Sequence, residues 1–204
     1  SEGMLTGYEV SKLSGISRSN SYTALASLVE KGAANIIEDT ATHYVPVDIN
    51  EFCDNKIRAL IKTKNILSEN IPKGKEEIDG YVTIKGQSHV LDKIISMIVS
   101  ANERIYISVS GSIIEQLIPY LQNSLAEKLK VVVITNPPFK LDGAILYLAK
   151  EPLNEIRLIV DSTAVLTGDI SADGSCLYSK KRNLVDLFKQ TIKNEMRLIE
   201  LNEL

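Results

Sequence analysis

The sequence predicts an α/β protein in three parts: a winged helix-turn-helix over residues 1–48, a dimerisation helix and hinge over 49–75, and an α/β domain over 76–204. Three observations predict it. Two short apolar-periodic segments are split by Ser14-Gly15, the run from Ile49 to Ile71 contains neither Gly nor Pro, and beyond it β-branched runs alternate with amphipathic stretches. A formal net charge of −3 argues against a generic nucleic-acid coat. No signal-peptide pattern opens the chain and no apolar run approaches the roughly 18 residues needed to span a bilayer, so the expectation is a cytoplasmic protein without a membrane partner. Cys53 and Cys176 stand far apart without metal-ligand spacing; two reduced, partly buried thiols are expected, with no cofactor and no metal.

In the first part, Thr6 followed by Glu9 forms a capping box that starts a helix burying Val10 and Leu13. Ser14 and Gly15 break it, Gly15 taking the left-handed conformation a sharp turn needs, with Ile16 plugging the corner. Ser17 caps a second helix whose inner stripe is Ser21, Leu25, Leu28 and Val29, and Gly32 ends it. Ser19, Asn20, Thr23 and Ser27 are left outward with Arg18 at the leading edge, a small polar face suited to a major groove. Spacing alone fits an αα-hairpin equally well. The context decides: Asn35-Ile-Ile and His43-Tyr-Val are strand-like runs around a polar loop over 38–42, and a hairpin directly after such a helix is a wing. The candidate contacts to double-stranded DNA are Lys12, Arg18, Ser19, Asn20, Tyr22 and Thr23.

From Ile49 to about Ile71 one long helix is expected. A heptad register runs through Cys53, Ile57, Leu60, Lys64, Leu67 and Ile71, with Lys64 interrupting it. Cys53, Ile57, Leu60 and Leu67 are the candidate homodimer interface, since pairing two winged modules raises affinity by mutual tethering; the alternative is a helix packed on its own domains. Lys56, Arg58, Lys62 and Lys64 read as a solvated face, with DNA contact as the alternative. Residues 71–77 read as a hinge.

Beyond the hinge, strands are expected at Tyr81 to Ile84, Arg104 to Ser110, Lys130 to Thr135, Glu155 to Val160, Ala164 to Leu166 and Cys176 to Ser179. Helices are expected at Ser88 to Ala101 (apolar side Leu91, Ile94, Ile95, Ile98, Val99), Ile113 to Leu129, and Leu184 to Leu201 (Leu184, Leu187, Phe188, Ile192, Met196, Ile199). Strand, helix and strand from Arg104 to Thr135 make a βαβ unit with parallel strands.

The opening TGYEVSKLSGISRS, the helix SYTALASLVEKG and the wing ending in Tyr44-Val-Pro resemble the winged-helix domain of the TrmB family of transcriptional regulators. The runs GQSHVLDKIISMIVSANERIYISVS, KVVVIT, and IRLIVDSTAVLTGD followed by CLYSKKRNLVDLF resemble that family's effector-binding domain, which is similar to the phospholipase D fold. The resemblance implies a preceding helix that the sequence in hand lacks, which leaves the winged domain incomplete as given. Where family members often place a lysine early in the recognition helix, this chain has Asn20. Residues 1–48 carry Lys12, Arg18 and Lys31 against Glu2, Glu9, Glu30, Glu38, Asp39 and Asp48, so weak non-specific DNA binding, or binding that relies on dimerisation, is expected.

Phospholipase D-type enzymes need a histidine nucleophile, a lysine two residues later and an aspartate five further on. Asp161 fills the last position, but Asn154 and Ile156 fill the others, and neither can do that chemistry. Gly168-Asp169 replaces the downstream Gly-Ser, placing a carboxylate where phosphate would sit. The domain is therefore read as catalytically inactive, and no Gly-x-Ser-x-Gly elbow, Walker loop or zinc spacing offers other chemistry. His43 and His89 read as surface residues.

A ligand of an α/β fold lies outside the carboxyl ends of the strands. That points to Ser108, Ser110, Gly111 and Ser112, to Thr135 and Asn136, and to Asp161 or Asp169 as candidate contacts for a small effector, a sugar or a small anion, with Pro137-Pro138-Phe139 beginning a connection over the mouth. Turn chemistry alone also accounts for Ser, Gly and Asn there. The leading expectation is thus a dimeric, ligand-responsive transcriptional regulator. Its competitors are a phosphodiesterase or nuclease of phospholipase D-like fold, which phosphodiester hydrolysis abolished by Asp161→Asn would support, and an interaction module that binds no effector.

Overall fold

The computed structural model describes residues 3–71, 80–136, 139–150 and 153–202. The expected hinge, apart from Ile71, and Pro137-Pro138 lie outside the described residues. The chain divides into two compact units, 1–74 and 75–204, taken separately below.

In the first unit, β1 (Leu5–Thr6), α1 (Gly7–Ser14), α2 (Arg18–Glu30), β2 (Ala34–Glu38), β3 (Thr42–Pro46) and α3 (Ile49–Asn70) follow in order. Local chemistry sets the boundaries. The Thr6 N–H donates to Glu9 Oε2 at 2.7 Å and the Glu9 N–H donates to Thr6 Oγ1 at 3.3 Å, the reciprocal capping box. Gly15 takes φ +71° between the helices, and Ser17 Oγ accepts from the Asn20 N–H at 3.4 Å. β2 and β3 form the wing, in register Ile36 opposite Tyr44, and β1 adds to β3 in a three-stranded sheet ordered β1-β3-β2. Two residues carry no periodicity, so β1 was invisible in the sequence.

The inner stripes differ from expectation. Ser21 and Leu25 are buried as expected, but Leu13, Ile16 and Leu28 are exposed and Val10 is half-buried, and Gly7, Ser11 and Ala34 are buried in their place. Small residues fill the space between α1 and α2, and a Cβ on Gly7 would collide with the ring of Tyr22, so the bulky residues fall at the edges. α3 begins where the Asp48 carboxylate accepts from the N–H groups of Asn50 and Glu51 at 2.9 and 3.1 Å. It runs 22 residues, and none of its side chains is buried.

The second unit holds β4 (Tyr81–Lys85), α4 (Gln87–Val99), β5 (Arg104–Ser108), α5 (Gly111–Ala126), β6 (Lys130–Thr135), β7 (Ile145–Leu148), β8 (Ile156–Val160), β9 (Ala164–Gly168), β10 (Ser175–Ser179) and α6 (Arg182–Asn202). One seven-stranded sheet runs β4-β10-β9-β8-β5-β6-β7. β5, β6 and β7 are parallel, the first pair joined through α5 as the βαβ reading requires. β8 turns antiparallel against β5, and β9, β10 and β4 continue antiparallel. β7, a short edge strand, was not expected.

Successive strand residues face opposite sides, so Ile105, Ile107, Val131 and Val133 pack under α4 and α5 while Ile134, Ile159 and Val165 pack under α6. Each fully buried Ile or Leu contributes about 1.5–3 kcal/mol. Val99 and Leu187, expected inside, are exposed; Val90, Met97 and Val185 are buried instead, because each helix lies rotated relative to the stripe read from the sequence. Gly168 ends β9 at φ +144°, where a Cβ would strike the Ser175 carbonyl and Cys176, so the β9–β10 crossing admits no side chain there. No helix among the described residues is long and apolar enough to cross a membrane.

Candidate functional site

Two surfaces hold the residues singled out above. On the winged module, Arg18, Ser19, Asn20, Tyr22 and Thr23 are all exposed on the first turns of α2. Thr23 Oγ1 donates back to the Ser19 carbonyl at 3.0 Å, leaving its lone pairs outward. Lys12 and Arg18 converge on a residue the sequence reading missed: their charged ends lie 4.9 and 4.1 Å from the centre of the Tyr8 ring. Hydrogen bonding from Lys12, then from Arg18, holds the Tyr8 phenol below its ordinary range. The i, i+4 spacing of Tyr8 and Lys12 was the available signal. Tyr22 covers Gly7 with one side of its ring and is half exposed on the other.

The second surface is a cavity of about 630 Å3 at the carboxyl ends of β5 and β6. Ser110, Ser112 and Asn136 line it, as expected, with Asp169 from the end of β9. Ser110 Oγ lies 3.3 Å from Ser112 Oγ at the start of α5, and Asn136 Oδ1 accepts from the Leu153 N–H at 3.4 Å. Asp169 Oδ2 accepts from the Ser171 hydroxyl at 2.6 Å and Oδ1 from its N–H at 2.8 Å, and these bonds, the hydroxyl foremost, hold the carboxyl below its ordinary range. Gln87, Asn154, Glu155 and Ser171 complete the polar lining. Asn154 was visible only as a degenerate motif position; the others carried no signal, since they are brought in by antiparallel strands and by α4. Glu155 and Asp169 are acidic, and among the described residues no Lys, Arg or His lines the cavity.

Ser108 and Asp161 do not belong there. Ser108 is buried on the α6 face, its hydroxyl donating to Glu195 Oε1 at 3.2 Å beside the Arg157–Glu195 ion pair at 3.0 Å. The strand alternation that aims Val109 toward α5 aims Ser108 the other way. Asp161 follows β8, which runs antiparallel to β5 with Val160 opposite Ile105, so its carboxyl end lies at the opposite end of the sheet. Asp161 accepts from the N–H groups of Asn102, Glu103 and Arg104 at 2.8, 2.8 and 3.0 Å. Burial pushes that carboxyl up, and the backbone bonds together with the Asn102 side chain outweigh it and hold the group below its ordinary range. Ile156, at the position of the phosphate-holding lysine, is fully buried. Cys53 is exposed rather than partly buried, and Cys176 is buried, its thiol pushed up to about 11 by burial and then by the Asp169 charge.

Fold and cavity together define a class: a winged helix-turn-helix followed by a long helix and an α/β domain on one mixed seven-stranded sheet. The family described as "Sugar-specific transcriptional regulator TrmB" matches residues 1–50, and "Transcriptional regulator TrmB, EBD N-terminal subdomain" matches residues 80–192. The chain belongs to the TrmB family of transcriptional regulators. It is 26% identical over 213 residues to the uncharacterized protein YrhO of Bacillus subtilis (strain 168), covering 98% of this chain and 78% of that protein. The structure of TrmBL2, an archaeal chromatin protein, matches 95% of this chain and 87% of its own with a TM-score of 0.53 at 18% identity, a likeness of fold. NucT from Helicobacter pylori matches 59% of this chain and 96% of its own at 18% identity and a TM-score of 0.48.

Proposed function

We propose that this chain is a homodimeric cytoplasmic regulator that binds double-stranded DNA through residues 1–48, pairs through 49–75, and senses a neutral sugar-type effector through 76–204 without catalysing a reaction. The observation that carries this reading is the lining of the carboxyl-end cavity. Its hydroxyls, amides and two carboxylates, Glu155 and Asp169, match the donors and acceptors of a polyol and repel an anion, so the sugar is favoured over the small anion. The same lining opposes phosphodiester chemistry. Asn154 supplies no nucleophile, Ile156 no cation, and Asp161 sits about 17 Å along β8 from Ile156, tied to backbone.

Two supports stand beside it. Arg18, Ser19, Asn20 and Thr23 present donors and acceptors on the exposed face of α2, with Lys12 and Arg18 as the cations available to phosphate. The apolar stripe of α3, with Ile57, Leu60 and Leu67 exposed beside Cys53, runs about 33 Å and is the surface a second copy would cover. The effector would act by binding one arrangement of the dimer more tightly than another. Selection of bound duplexes from a random pool tests the reading. One enriched site is expected, with Asn20→Ala relaxing base preference by about 1–3 kcal/mol, and Leu60→Asp giving a monomer that no longer retains the site. A pool without enrichment, or hydrolysis of a generic phosphodiester by the purified chain, overturns it.

A further inference from the structure

At the other end of the sheet, between its α6 face and α6 itself, lies a second cavity of about 330 Å3 and of opposite charge. Arg104 and Lys130 stand at the amino ends of β5 and β6, and Lys189 and Lys193 are one turn apart on α6; all four line the cavity, and among the described residues no carboxylate does. Among the described residues Lys130, Lys189 and Lys193 are in no ion pair, and Arg104 pairs with the exposed Glu103 at 2.8 Å. The acids of α6 already have partners: Glu195 is held by Arg157 and Ser108, Asp186 by Arg182, and Glu200 accepts at 2.9 Å from the hydroxyl of Tyr147, itself a lining residue. Four cations facing one small space repel one another, and a bound anion removes that penalty.

The remaining walls describe the rest of the ligand. Tyr106 and Tyr147 line the cavity together with Val132, Ile159 and Met196, and Lys130 Nζ lies 5.7 Å from the centre of the Tyr106 ring. A volume of about 330 Å3 holds one small molecule and not a strand of nucleic acid. We infer that this cavity binds a small organic phosphate with a flat apolar body, of nucleoside monophosphate size, as a second effector site distinct from the sugar cavity. The inference does not rest on the sugar reading, because the two linings share no residue.

Calorimetric titration of the full chain at about 0.15 M salt, where exposed charges are screened, tests it with adenosine 5′-monophosphate, adenosine and inorganic phosphate. The monophosphate binds, and adenosine and phosphate alone each bind at least about tenfold more weakly, since each lacks half of the recognition. The double variant Lys189→Ala/Lys193→Ala weakens the monophosphate by at least about tenfold, does not lower the melting temperature of the free protein, since it relieves the same repulsion, and leaves any sugar response intact. No heat from the monophosphate up to about 10 mM overturns the proposal, as does a double variant that binds it like the parent. If instead the monophosphate fails while the double variant loses affinity for random-sequence duplex, the cations belong to a nucleic-acid surface and the proposal falls.

Discussion

The two units are built on opposite terms. In the winged module the buried hydrophobic side chains are Leu25 and Ala34, while Leu13, Ile16, Leu28, Ile36 and Ile37 stand exposed; in the α/β domain two continuous clusters pack on both faces of a seven-stranded sheet. Burial of apolar area dominates stability, so the α/β domain stands on its core, whereas the winged module stands on local devices: a capping box, a serine cap and a hairpin. That core gives the proposed effector cavity a fixed frame. A reading head so lightly packed takes its rigidity from whatever covers its exposed apolar edges.

Substitutions that bear on this contrast are ordered by size. Ile107→Ala, inside the core under α4 and α5, costs about 2–5 kcal/mol and lowers the denaturant midpoint of the α/β domain, read by circular dichroism, while the winged module's transition stays in place. A shift of both transitions would break the contrast. Asp161→Ala strips three backbone donors of a charged acceptor and costs about 2 kcal/mol or more, again in the α/β domain. Its pH signature follows from the sign: the folded carboxyl is depressed, so its contribution is complete above the unfolded pKa and is lost as pH falls through the lower folded value. The variant's acid sensitivity in that window is correspondingly flatter, and an unchanged acid profile would remove Asp161 from this role.

Thr6→Ala dismantles the capping box and costs about 1 kcal/mol, a larger share of the winged module's stability than the same loss would be elsewhere. The smallest effect costs no stability: a maleimide labels the exposed Cys53 of the native chain promptly, whereas Cys176, buried and held protonated by a pKa of about 11, labels only on unfolding. Protection of Cys53 that rises with protein concentration would sharpen the dimer reading.

How much of this was legible follows from range. Thr6, Glu9, Gly15 and Ser17 act on neighbours within three residues, so the starts of α1 and α2 and the turn between them were legible. The periodic runs gave α3, α4, α5 and α6 and most strands, but not which of Val99 or Met97, Leu187 or Val185 would turn inward, since that depends on how each helix settles against a sheet. For the cavity, Ser110, Ser112 and Asn136 were legible because they follow parallel strands of one βαβ unit.

Ser108 and Asp161 were misplaced for two different physical reasons. One lies a single residue from the correct face of its strand, and the other lies at the end of a strand whose direction no local signal reveals. The sequence by itself determined most of the elements, the identities of Asn154 and Ile156, and the family, because these reside in residue identity and short spacing. Only the tertiary structure decided that β8 opposes β5, and with it what each end of the sheet presents: a cavity with Glu155 and Asp169 in its lining at one end, and at the other a cavity lined by Arg104, Lys130, Lys189 and Lys193, drawn from three distant segments.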